Sequence, residues 1–261
     1  MHRLLANAVR ATIPNAIRKA AKRGLLAAIG LREDVRVKTM VVNPEGQPWT
    51  VVLDALSSES IVYSLGLGDD ISFDLGIVQK TGAQVFGFDP TPGVIESLTW
   101  NPLPDRLKLL PRLIGARDCS VEYYALYSPL GEIEYLYASH PDRIPLDCEL
   151  RAIEIEMTSV PTIMKELGHA RIDLLKVDIE GAEIELLQEI AGSSLNIPQI
   201  AVELHYRFPQ VGFSRVRDTV RALRSSGYRI AHVSEWGEEF LFVRQDILRI
   251  DDSQSNSGWL L

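Results

Sequence analysis

The sequence predicts an α/β fold: a mostly parallel sheet with helices on both faces. Three observations lead there. Beyond residue 60, short β-branched and aromatic runs alternate with stretches of helical spacing. Several of the helical stretches stop at a glycine, as at Gly82, Gly168 and Gly227. The chain has 261 residues, 46% apolar and 24% charged, enough for a sizeable core and unlike disordered, collagen-like or coiled-coil chains. Alternation of this kind implies βαβ units, whose right-handed crossovers gather the C-terminal ends of the strands on one edge. Ligands of such sheets bind along that edge, at the point where the strand order reverses. Residues just after each strand are therefore the functional candidates.

Taken in order, Ile61 to Leu65 reads as the first strand of this alternation, ending at Gly66. Ser72 to Lys80 reads as a helix and Gln84 to Phe88 as the next strand, ending at Asp89. Leu107 to Ile114 reads as a third strand despite Pro111. Pro161 to Leu167 is helical, Ile172 to Val177 is a strongly apolar strand, and Ala182 to Ile190 is helical again. Gln199 to Leu204 is a strand. Phe213, Val216, Val220 and Leu223 line one face of a helix, and Tyr228 to Val233 with Glu239 to Val243 form a last pair of strands. Between Cys119 and Glu156 the rhythm breaks. Val121 to Tyr127 and Ile133 to Tyr137, joined through Ser128, Pro129 and Gly131, read as a β-hairpin insertion. His140 to Asp147 reads as a loop.

Charge is unevenly spread. Residues 1–32 hold seven Lys or Arg and no acid, whereas the remainder holds 20 basic and 35 acidic residues. An acidic body excludes general nucleic-acid binding, which neutralises phosphates. The leader reads as two short helices divided at Pro14, with Arg18, Lys19, Lys22 and Arg23 in a basic band. Two readings of it stand: a cap helix packed on the domain, or peripheral contact of residues 1–32 with an anionic membrane or an acidic partner. The longest uncharged apolar stretch near the N-terminus, Gly24 to Leu31, is far short of the roughly 20 residues a membrane span needs. No secretory signal pattern is read there. Two cysteines, Cys119 and Cys148, suit a reducing, cytoplasmic compartment. The expected organisation is a basic helical extension over 1–35, a catalytic domain over 36–250 and a polar tail over 251–261, which ends in Trp259, Leu260 and Leu261.

The chemistry sits at the strand ends. Gly66 and Gly68 let the backbone turn tightly and approach a ligand. A dinucleotide fingerprint would need glycine at position 71, where this chain has Ile71. Asp69 and Asp70 would repel a phosphate and suit a cation. Asp89 stands where an acid accepts hydrogen bonds from ribose hydroxyls, or else caps the following helix. Together these features fit an adenosine ligand without a diphosphate, such as S-adenosylmethionine. Asp178, Glu180 and Glu183 crowd the end of the Ile172 strand, and Glu203 and His205 share a face at the end of the next.

Three blocks carry a family resemblance. They are Tyr63-Ser64-Leu65-Gly66-Leu67-Gly68-Asp69-Asp70-Ile71-Ser72-Phe73-Asp74, Phe86-Gly87-Phe88-Asp89-Pro90-Thr91, and Leu174-Leu175-Lys176-Val177-Asp178-Ile179-Glu180-Gly181-Ala182-Glu183. They resemble FkbM-type methyltransferases, the first two blocks most like the methyltransferase-like branch. Ala201-Val202-Glu203-Leu204-His205 resembles the family's fifth-strand motif. The resemblance covers roughly residues 60–245 and is most specific in the Lys-x-Asp-Ile-Glu-Gly-x-Glu block. It implies a class I, Rossmann-like methyltransferase fold, with a seven-stranded sheet whose last strand is antiparallel. It also implies S-adenosylmethionine as cofactor and O-methylation of a hydroxyl on a sugar, glycan or small metabolite. Ser64, Gly66, Gly68 and Asp69 would hold the methionine moiety, Asp89 the ribose, and Asp178 would lie beside the sulfonium.

A hydroxyl acceptor must lose its proton, and a general base is worth about 10²–10⁴ in rate. His205 is the first candidate, since a free imidazole titrates near 6.5, with Asp178 or Glu203 as alternatives. A divalent metal held by Asp178, Glu180, Glu203 and His205 is a less favoured variant. Two rival classes are a nicotinamide-dependent oxidoreductase and a non-catalytic scaffold on the same fold.

Overall fold

The computed structural model describes residues 14–244 except 44, 101, 139–146 and 210, together with residue 247. The leader before Pro14, nearly all of the His140 to Asp147 loop and the tail from Asp251 lie outside the described residues. In chain order the strands and helices are α1 (Asn15–Ala28), β1 (Met40–Val42), β2 (Trp49–Val51), β3 (Ile61–Leu65), α2 (Ser72–Thr81), β4 (Gln84–Phe88) and α3 (Pro92–Leu98). Then come β5 (Leu107–Leu110), β6 (Leu113–Gly115), β7 (Cys119–Tyr127), β8 (Ile133–Tyr137), β9 (Glu149–Ser159), α4 (Val160–Leu167) and β10 (Leu174–Val177). The chain continues through α5 (Glu183–Gly192), β11 (Gln199–Glu203), α6 (Gly212–Ser225), β12 (Tyr228–Val233) and β13 (Glu239–Arg244).

Seven strands form the main sheet, in the order β12-β13-β11-β10-β3-β4-β5. The sheet is mixed. β5, β4, β3, β10 and β11 pair in parallel, whereas β13 pairs antiparallel with both β11 and β12. The chain leaves β3 toward β4 and β5, then returns to β10 on the other side, so the order reverses between β3 and β10. In register, Leu65 faces Val177 on one side and Phe88 on the other. The residues that follow these three ends, Gly66, Asp178 and Asp89, thus arrive at one crevice.

Alternation along the strands builds two cores. Tyr63, Phe86, Leu175 and Ile200 point to the face covered by α1, α4, α5 and α6. Val62, Val85, Leu174 and Ala201 point to the face covered by α2, α3 and the β1-β2 hairpin. This two-sided burial explains why the central strands read as continuous apolar runs.

Two sequence expectations are corrected. The Leu107 to Ile114 strand is really two, because Pro111 lacks an N–H and turns the chain. β5 ends the main sheet, and β6 starts a second one. The insertion does hold the hairpin, β7 pairing antiparallel with β8, but β6 and β9 extend it into a four-stranded sheet of order β6-β9-β7-β8. Its longest member, β9, pairs with β7 from Cys119↔Met157 to Tyr127↔Glu149. Ile153, Ile155 and Met157 pack on the small core around Leu113, Tyr123 and Leu136, while Glu154 alternates outward. The charged half of that alternation hid the strand. The β1-β2 hairpin also went unread.

Helix α1 packs on the domain through fully buried Leu26, whose side chain lies over Gly237. Its cations face acids of the same chain. Lys22 pairs with Glu238 at 3.1 Å, Arg23 with Glu33 at 2.9 Å, and Lys19 with Glu235. Arg18 and Lys19 also lie over the Trp236 ring. Among the described residues, no helix is long and apolar enough to cross a membrane. We expect Leu26→Ala to cost about 2–5 kcal/mol, the usual range for an emptied core site, in chemical denaturation. Lys19→Ala should cost under about 1 kcal/mol, because its ion pair is exposed.

Candidate functional site

The crevice is built around the loop after β3. Gly66 has φ +77°, and a Cβ there would stand 1.7 Å from the Asp178 carbonyl oxygen. No side chain fits, so the two strand ends touch backbone to backbone. Gly66 N–H donates to the Phe88 carbonyl at 2.9 Å and Asp178 N–H to the Leu65 carbonyl at 2.9 Å. Gly68 has φ +57° but opens onto free space. The two glycines thus act differently: one permits close approach, the other keeps a wall bare.

Asp89 is 6% exposed and ties this loop to β4. Its Oδ2 accepts from Leu67 N–H at 2.9 Å and Gly68 N–H at 3.2 Å, and its Oδ1 from Thr91 N–H at 2.8 Å. Lys176 is buried on β10. Its Nζ donates to the Gly66 carbonyl, lies 3.7 Å from Asp178 and sits 5.0 Å from the Trp49 ring centre. Asp70 accepts from Ser72 N–H at 2.8 Å at the start of α2, and the Ser72 hydroxyl, helped by this N–H, holds its carboxyl below the usual range against burial. Asp74 is buried. Burial pushes its carboxyl up to about 6 against the opposing charge of Lys176.

A cavity of about 160 Å³ lies over this loop. Gly66, Gly68, Asp69, Asp89, Asp178 and Glu180 line it from the main sheet's edge. Ile114, Tyr123 and Leu136 close it from the second sheet. Of the sequence-derived cofactor residues, Ser64 alone does not line it. Its hydroxyl is buried beside Asp74.

The catalytic candidates form a cluster at the ends of β10 and β11. His205 Nδ1 lies 2.8 Å from Glu183, its Nε2 3.5 Å from Glu180 and 3.8 Å from Glu203. Glu183 is fully buried and also accepts from Ile179 N–H and Gly181 N–H. Glu180 sits at φ +51°, a strained backbone for a side chain with a Cβ. Asp178 lines the cavity; His205 and Glu203 do not. Burial opposes charge on His205, but the Glu183 hydrogen bond and the charges of Glu183, Glu180 and Glu203 win, pushing it up to about 10. Burial, then neighbouring acids, raise Glu180 to about 7 and Glu203 to about 8. Ligand atoms of Asp178, Glu203 and His205 lie within 4.8 Å of one another.

Sequence reasoning gave no role to Lys176 and overlooked the second-sheet residues Ile114 and Leu136. Lys176 did stand in the most specific motif, and an apolar-flanked lysine inside a buried strand was the available signal. Nothing local marks Ile114 and Leu136, because only the fold of β6 to β9 brings them to the cavity.

Two predictions follow from this geometry. Gly66→Ala should abolish or severely destabilise folding, whereas Gly68→Ala should cost only about 1 kcal/mol for its positive φ, both read by urea denaturation. His205 should titrate near pH 10 in ¹⁵N-histidine NMR, and Glu183→Gln should bring that midpoint down. A raised histidine stabilises the fold fully below its unfolded value of about 6.5 and loses that contribution as pH rises through about 10.

Comparison with known proteins agrees with the sequence resemblance. Human probable methyltransferase-like protein 24 is 22% identical over 83% of this chain and 58% of its own length. The rat protein of the same name is 24% identical over the same shares. The chain therefore spans somewhat over half the length of these relatives. Aeropyrum pernix fibrillarin, solved with S-adenosyl-L-methionine, aligns over 73% of this chain and 67% of its own at 11% identity. Its TM-score is 0.40. The model of the methyltransferase FkbM domain matches residues 57–230, two thirds of the chain, and this chain belongs to that family.

Proposed function

We propose that the chain is an S-adenosylmethionine-dependent O-methyltransferase acting on a hydroxyl of a sugar, glycan or small metabolite. The observation that carries this reading is the cavity over Gly66 and Gly68, with its mixed lining. Carboxylates Asp69, Asp178 and Glu180 line it together with the apolar Leu67, Phe88, Ile114 and Leu136. A ligand with a cationic centre and a flat heterocycle matches both. Asp89 fits the ribose: its two oxygens accept three backbone N–H groups, and a carboxylate offers about four acceptor sites. Gly66, Gly68 and Asp69 face the same space and suit the amino-acid end.

Bound there, S-adenosylmethionine supplies a sulfonium methyl: the acceptor oxygen forms the new C–O bond, the S–C electron pair stays on sulfur, and the hydroxyl proton leaves. Asp178 receives that proton in this reading, since it lines the cavity and His205 does not. His205 instead orients Glu180 and Glu203, with Glu183 holding its Nδ1. Lys176 keeps Asp178 and the Gly66 carbonyl in place. Alignment of the reacting atoms is the main contribution of the protein, because the donor is already activated.

The test is a thermal-shift titration with S-adenosylmethionine, S-adenosylhomocysteine and NADH. At 100-fold over Kd, a one-site ligand adds about 2.7 kcal/mol, a rise of roughly 5–10 °C for a domain of this size. Both adenosyl ligands should stabilise, and Asp89→Asn should weaken the effect. Stabilisation by NADH alone would favour the oxidoreductase reading, and no shift with any ligand the scaffold reading.

A further inference from the structure

One wall of the cavity comes from the β1-β2 hairpin. Gln47, in the turn between these two strands, lines the cavity together with Gly68 and Asp69. The hairpin lies outside residues 57–230, which the family model matches. Val42, Trp49 and Val51 bury it in the core to which α2 contributes Phe73 and Ile77. The ring centres of Trp49 and Phe73 are 6.1 Å apart. At the turn itself, Asn43 Nδ2 donates to the Ser72 hydroxyl, and a Cβ at Gly46 would stand 2.9 Å from the Asp70 carboxylate. The Gln47 N–H is a further donor to that carboxylate. The two neighbouring acids thus differ in role: Asp70 fastens the hairpin to the start of α2, and Asp69 faces the cavity.

A count of donors shows what the fastened turn can supply. An amino-acid end carries an ammonium and a carboxylate. Asp69 can accept from the ammonium. The carboxylate needs N–H groups, and the glycine loop has already spent its own. Gly66 N–H goes to the Phe88 carbonyl, and Leu67 and Gly68 N–H go to Asp89. Arg112 is the one Lys, Arg or His among the described residues that line the cavity. It follows β5, two strands away from β3, and is paired with Glu166 at 3.1 Å. Gln47 is exposed, and its side-chain amide has no partner among the described residues. A primary amide carries two N–H donors. We propose that the Gln47 amide donates to the carboxylate at the amino-acid end of the cofactor, which makes the β1-β2 hairpin part of the cofactor site. The inference rests on the S-adenosylmethionine reading and adds to it a residue that the family match does not reach.

The test compares S-adenosylhomocysteine with 5′-methylthioadenosine, which keeps the adenosine and the thioether but lacks the amino acid. Both are titrated into the full chain by calorimetry. The parent should bind S-adenosylhomocysteine the more tightly. Gln47→Ala should weaken S-adenosylhomocysteine about tenfold, as a hydrogen bond to a charged group is worth, and leave methylthioadenosine affinity unchanged. Gln47→Glu keeps the size but replaces the donors with a negative charge, so it should weaken S-adenosylhomocysteine at least as much. Both variants should unfold at the temperature of the parent, because the side chain is exposed. Unchanged S-adenosylhomocysteine affinity in Gln47→Ala, equal losses for both ligands, or full affinity in Gln47→Glu overturns the proposal. So does a parent that binds methylthioadenosine as tightly as S-adenosylhomocysteine, which leaves the adenosine site intact. A parent that binds neither ligand defeats the cofactor reading itself, and this inference with it.

Discussion

The contact of the Gly66 backbone with the Asp178 carbonyl is the constraint on which the crevice depends. Parallel pairing of β3 with β10 brings Leu65 level with Val177, so the next residue of each strand must pass the other. At that point there is no room for a Cβ, and the loop must turn through φ +77°. The rest secures the loop once it has turned. Lys176 holds its carbonyl from below, Phe88 accepts from its amide, and Asp89 takes the next two N–H groups. The cavity exists because these bonds keep the backbone open where Gly68 presents no side chain.

Charge is the second organising feature. Asp178, Glu180, Glu183 and Glu203 converge on two internal cations, Lys176 and His205. Acids therefore outnumber cations in a partly buried space. Burial, and after it the neighbouring acids, raise the carboxyls of Glu180 and Glu203, and against burial the Glu183 hydrogen bond and the same acids push His205 up. Such a site gains from any further positive charge, which is the electrostatic case for a cationic donor. It also explains why a histidine that free solution would leave mostly neutral at pH 7 is held as a cation.

The main sheet was legible in the sequence because each of its central strands is buried on both faces and reads as an unbroken apolar run bounded by glycine. The strand-end residues were legible for a related reason, since parallel topology converts position after a strand into position at one edge. Gly66, Gly68, Asp69, Asp89 and Asp178 all line one cavity. The second sheet was only half legible. Its strands bury one face, so β9 spreads its signal over alternate residues, and the charged half of the pattern resembles a loop. Pro111 concealed a change of sheet inside one apolar run.

By itself, then, the sequence determined the α/β class, the order of the central elements, the turn after β3 and the family, because each is written in local pattern or in a contiguous motif. Tertiary structure decided which acids gather around His205, that Lys176 braces the glycine loop, that His205 does not line the cavity, and that Tyr123 does. Those facts depend on distances between residues far apart in the chain, such as the 22 positions that separate Glu183 from His205. Such distances are set by strand register and by how one sheet docks on another, and no local pattern encodes them.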